Sequence, residues 1–192
     1  AQVGSIVGVG GALTILGLVG LIVILVGIGR SAIQPRLRPA IAAYLAGAGL
    51  GLVGVMLGAV LGSGGGGRVS GQLREAHATI NLLGLSGLVI AGTLPFFVAT
   101  EAKTKPSPRA TQSTKFWVQA AMGVSLAVAV LGALGSRPTV AAVGLGGYAA
   151  TLVTLASLLP RLGMKQFRWA GPRLVQTGLA IAWWIGAVAL AA

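Results

Sequence analysis

The sequence contains no cysteine, one histidine and two acidic residues in 192 positions. Absence of cysteine excludes a disulfide, a thiolate metal site, an iron–sulfur cluster and a covalently attached c-type haem. One histidine and two carboxylates cannot assemble a Ser-His-Asp set, a carboxylate pair or a multi-histidine metal centre, so self-contained catalysis is not expected. Charged residues make up 8% of the chain, where a soluble domain carries roughly 25%. There is little water-facing surface to cover. The strand alternation of an outer-membrane barrel is also missing.

What is present is apolar. Hydrophobic residues make up 55% of the chain, in recurring runs of about 20 residues, each long enough to cross a hydrocarbon core of ~30 Å. A span in lipid must close its own backbone hydrogen bonds, so each run is read as a helix. The expected fold is an all-α, polytopic membrane helix bundle with six transmembrane helices in a single domain over 1–192. The spans fall near 3–29, 38–62, 76–100, 116–135, 138–160 and 173–191.

The formal charge of +12 does not point to nucleic acid. The cations lie in the connecting loops and are not interleaved with exposed aromatics, so they read as topology signals and lipid-headgroup contacts. Loops one, three and five carry Arg30, Arg36, Arg38, Lys103, Lys105, Arg109, Lys115, Arg161, Lys165, Arg168 and Arg173. Loops two and four carry only Arg68, Arg74 and Arg137. The positive-inside rule then puts the odd loops in the cytoplasm and both termini outside. An external N-terminus without a basic leader implies a cleaved signal or an upstream segment. The chain is therefore expected to be part of something longer or a small subunit of a larger complex. Its Arg, Ala, Gly, Val and Leu bias fits a bacterial inner membrane, multi-pass.

Small residues recur every four positions, as in membrane helix packing. Span two has Ala43, Gly47, Gly51, Gly54, Gly58 and Gly62, span five has Ala142, Gly146 and Ala150, and span six has Gly178, Ala182 and Gly186. Gly64 to Gly67 lack the Lys-Ser/Thr ending of a phosphate loop and read as a turn. Trp117 and Trp169 read as interfacial anchors, and Pro95 as a kink. Arg38-Pro39-Ala40-Ile41-Ala42-Ala43 and Arg137-Pro138-Thr139-Val140-Ala141-Ala142 form a faint echo between spans two and five. An inverted repeat of that kind occurs in transporters, although chance recurrence is the better account in an Ala-rich chain.

The third span stands apart. At ~100° per residue, Glu75, Thr79, Ser86 and Thr93 form one polar stripe, and His77, Asn81 and Gly84 form a second, nearly opposite. A helix polar on two sides belongs at the centre of the bundle. His77 is a candidate haem or copper ligand, with Asn81 or Glu75 supporting it. The competing reading is an interfacial histidine hydrogen-bonded to a neighbouring helix or water. Glu75 beside Arg74 reads most simply as an interfacial ion pair. Glu75 and Glu101 lie ~39 Å apart along one helix and cannot act as a pair.

The run His77-Ala78-Thr79-Ile80-Asn81-Leu82-Leu83-Gly84-Leu85-Ser86-Gly87-Leu88, continuing to Gly92-Thr93-Leu94, resembles a segment of haem–copper oxidase subunit I-like membrane proteins. That group includes NnrS-type haem proteins and membrane regions that accompany multicopper oxidases. The family segment reads His-x-His-x-Asn-Leu-Leu-Gly. His77 takes the first histidine position, Asn81 the asparagine and Gly84 the close-packing glycine, while Thr79 stands where the second histidine would be. The resemblance implies an integral membrane subunit of a bacterial respiratory or redox assembly, accessory rather than catalytic, associated with haem or copper. The second ligand would come from another membrane subunit, a missing segment or an exogenous molecule. The alternatives are a small-solute transporter or half-transporter and a purely structural subunit.

Overall fold

The computed structural model describes residues 2–31 and 37–192, with side chains from Ile6 onward. Ala1 and residues 32–36, including the loop cation Arg36, lie outside the described residues. Among the described residues the chain is entirely helical, without strands. Helix α1 spans Gln2–Arg30, α2 Arg38–Gly62, α3 Ser70–Thr79, α4 Gly87–Glu101, α5 Gln112–Leu134, α6 Pro138–Ser157 and α7 Met164–Ala191. A π-helical segment, Ile80–Ser86, joins α3 to α4. With a leading 3-10 turn these three form one rod, Gly67–Glu101, so six helices are long and apolar enough to cross a membrane.

Two boundaries differ most from the sequence reading. The third span begins near Gly67, well before 76, because the helix continues past its apolar portion through the polar Ser70, Gln72 and Arg74. The last helix begins at Met164, before 173. Gln166 accepts the Gly163 N–H at 3.0 Å and starts it early. The backbone then breaks at Ala170 (φ −125°, ψ 20°), just before Pro172, which lacks an N–H and whose ring crowds the preceding turn. Pro95 lies inside α4 without ending it, and the irregular backbone sits upstream, in the π segment. Gly64 and Gly67 adopt φ of +74° and +45°, as a tight turn requires.

The rod is central. It packs against α2, α5 and α7, and its most apolar window is half buried, the largest share of the six. The core joins Ile80, Leu88, Leu94 and Val98 of the rod to Met122 and Leu126 of α5 and to Tyr148, Leu152 and Leu155 of α6. Helix α1 lies at the periphery along α2, with none of its apolar window buried.

Small residues set the two closest seams. Along α2, Gly47 faces the backbone of Leu85, Gly51 the side chain of Leu85, Gly54 the amide of Asn81 and Gly58 the ring of His77. The span-two ridge is thus the seam with the rod. The ridges read for spans five and six are not seams: Gly146, Gly178 and Gly186 have no atom within 4 Å of where a Cβ would lie. In α6 the contact runs instead through Ala141, Gly144 and Tyr148, with Gly144 against the backbone of Ala129. The chosen face differs because 141, 144 and 148 share the helix side that also buries Leu152 and Leu155.

Candidate functional site in the third span

His77 and Asn81 sit one turn apart on the rod and face α2 together. The imidazole Nδ1 lies 2.7 Å from the Gly54 carbonyl oxygen. A carbonyl only accepts, so Nδ1 carries the proton and donates it. The Asn81 amide donates to the His77 carbonyl at 2.8 Å, and its nitrogen also approaches Nδ1 at 3.2 Å. Both nitrogens are donors in this arrangement, so that approach is a contact rather than a hydrogen bond. The fit depends on glycine. A Cβ at Gly58 would stand 2.8 Å from His77 Cε1, and one at Gly54 would stand 2.6 Å from Asn81 Oδ1.

Two consequences follow. The half-buried pair lines the seam between α2 and the rod, and the His77–Gly54 hydrogen bond clamps the two helices together. In a neutral imidazole this contact leaves the lone pair on Nε2, the form a metal-binding imidazole adopts when its other nitrogen donates to a backbone carbonyl. Among the described residues no three His, Asp or Glu side chains come together to close a metal site. Nε2 of His77 is the one imidazole nitrogen of the pair that does not face the Gly54 carbonyl.

Glu75 is not part of this pair. It projects from another side of the rod, is exposed, and helps line a groove between the rod and α7. The expected Glu75–Arg74 ion pair is absent. The one salt bridge among the described residues joins Glu101 to Arg173 at 3.3 Å. The two polar stripes read from the sequence thus have separate destinations. His77, Asn81 and Gly84 face α2 and its neighbours, while Glu75, Thr79, Ser86 and Thr93 line the groove.

The sequence reading missed the π segment and its partner. The Gly87 N–H points to the Gly84 and Leu82 carbonyls rather than to Leu83. The Leu83 carbonyl instead accepts from the Tyr148 hydroxyl of α6 at 2.8 Å. Tyr148 is fully buried, and its ring meets that of Trp184 with centroids 6.3 Å apart. Gly87 makes room, since a Cβ there would run into the Tyr148 hydroxyl. A tyrosine inside an apolar span was the available signal, because a buried phenol needs a partner.

Trp117 and Trp169 are largely exposed, as anchors would be, and Lys103 Nζ lies 3.4 Å from the centroid of the Trp169 ring. Trp183 is 80% exposed, whereas Trp184 forms part of the groove wall. No protein-family model, curated protein or solved structure matches the chain, so its residues and their geometry alone bear on its function.

Proposed function

We propose that this chain is an accessory, non-catalytic subunit of a larger assembly in a bacterial inner membrane. The observation that carries this reading is the clamp. The only imidazole donates its Nδ1–H to Gly54 inside the bundle, Glu75 faces a different side of the rod, and Glu101 is tied to Arg173. The scarce ionisable groups are thus dispersed, and no two of them converge on a reacting centre. Extraction from native membranes in mild detergent tests this reading. The expected particle is larger than the 19.0 kDa of the chain and contains a second polypeptide. A monodisperse, stable monomer that turns over a substrate unaided would overturn it.

A second, finer reading makes the assembly a redox one, with Nε2 of His77 as a single ligand to haem or copper. The Nε2 lone pair and the resemblance around His77 favour it. When bound, the metal would supply electron transfer, and this chain would orient one ligand through the Gly54 carbonyl. His77→Asn separates ligand from clamp. The asparagine amide nitrogen falls near the Nδ1 position and retains a donor for Gly54, while nothing replaces Nε2. The native-partner preparation should show a Soret band or stoichiometric copper that His77→Asn loses without loss of helicity. Absence of both signals in the wild-type preparation sinks this second reading and leaves the first standing.

A further inference from the structure

The groove between the rod and α7 has a volume of about 870 Å³, within the range of ligand sites. Its walls are mostly aliphatic and aromatic, Leu82, Ile90, Phe97, Ile181 and Trp184 among them. The concavity arises from small residues, since Ala78, Ala180 and Ala187 stand where larger side chains would fill it. One charged side chain lines it, Glu75, at the end where α7 reaches Ala191. That carboxylate has no salt-bridge or hydrogen-bond partner among the described residues. Thr93 and Thr177 return their hydroxyls to their own helices. Thr79 and Ser86 make no side-chain hydrogen bond to any described residue.

We infer that this groove binds one acyl chain of an ammonium-headed membrane lipid, a phosphatidylethanolamine, with its head at Glu75 and Thr79. The length agrees. Glu75 to Ile90 covers ~22 Å of rod, enough for an extended acyl chain below its head. Depth agrees as well. A core of ~30 Å takes up about 20 residues, so in a rod of 35 residues centred near Gly84, Glu75 falls at the hydrocarbon boundary, where headgroups begin. Charge selects the head. An unpaired carboxylate attracts an ammonium and repels a headgroup that carries only phosphate. An apolar groove alone would accept any chain; the carboxylate at its mouth gives the preference.

The two tryptophans of α7 provide the test. Trp184 lines the groove and Trp183 faces away from the bundle, 80% exposed. Two full-length chains are made, one keeping only Trp184 and one only Trp183, the others replaced by Phe. Each is placed in vesicles of phosphatidylethanolamine and phosphatidylglycerol, with brominated chains on one lipid or the other to quench fluorescence. At Trp184, phosphatidylethanolamine should be preferred by about two- to fivefold, the size of one partly exposed charge contact. At Trp183 the two lipids should quench equally. Glu75→Gln, a conservative change at an exposed position, should bring the Trp184 ratio down to that of Trp183. Ala187→Phe, which fills the groove, should reduce Trp184 quenching by both lipids. Equal ratios at the two tryptophans, or a Trp184 preference that survives Glu75→Gln, would overturn the proposal. Neither result depends on the role of His77.

Discussion

Gly54→Ala isolates the α2–rod clamp. The new methyl would stand 2.6 to 2.8 Å from Oδ1, Nδ2 and Cγ of Asn81, about 1 Å inside van der Waals contact. Two relaxations are open. Asn81 can rotate away, which breaks its 2.8 Å hydrogen bond to the His77 carbonyl. Otherwise α2 can shift outward by about that same 1 Å, which takes the 2.7 Å His77–Gly54 bond beyond hydrogen-bond range. Either way one side-chain hydrogen bond is lost, between helices or within the rod, at about 0.6–1.7 kcal/mol in a membrane, with overpacking strain of about 1–3 kcal/mol. The expected destabilisation is about 1–3 kcal/mol, since the two terms are alternatives in part. Gly49→Ala is the control on the same helix, because nothing lies within 4 Å of its Cβ position. It should be neutral or up to about 1 kcal/mol stabilising through helix propensity. Equilibrium unfolding in bicelles, followed by circular dichroism, gives both values. Adding Asn81→Ala to Gly54→Ala removes the clash and should recover part of the loss, seen as a coupling between the two sites. A Gly54→Ala variant as stable as Gly49→Ala, or a double variant without coupling, would refute the role of the clamp.

The remaining seams give further tests by the same unfolding measurement. Tyr148→Phe removes the hydroxyl that serves the Leu83 carbonyl and should cost about 1–2 kcal/mol, as the carbonyl stays buried without that donor. Gly144→Ala should cost more than about 2 kcal/mol, because its Cβ meets the Ala129 backbone, which cannot rotate away. Gly146→Ala, with open space around it, should be tolerated. Glu101→Gln should change stability by less than about 1 kcal/mol and lose even that in high salt, since its Arg173 partner is 76% exposed.

Composition and hydropathy determined the architecture of this protein. Six apolar runs, too long for a buried core and too poor in charge for a water-facing surface, have one physical outcome, since only a helix satisfies its own backbone in lipid. The same reading separated two polar stripes on the third span, because a 3.6-residue period places Glu75, Thr79 and Ser86 on one side and His77 and Asn81 on another. It also picked out the α2 glycine ridge. It could not say which glycine ridges meet a neighbour. A small-residue repeat is necessary for close approach but does not specify a partner, and in α6 and α7 the repeats at Gly146 and Gly178 face open space while Gly144 makes the contact. Nor could it say what each stripe faces. About 200° of helical rotation separates Glu75 from His77, but only packing turns His77 to α2 and Glu75 to the α7 groove. The π segment was invisible for a similar reason. Its irregular backbone is supported by a hydroxyl 65 residues away, Tyr148 on the Leu83 carbonyl, and no local pattern records that. The sequence alone thus settled that the third span is polar on two sides. Only tertiary packing decided that one side is a clamp and the other an open groove, because what a polar group does in a membrane depends on which helix stands opposite it.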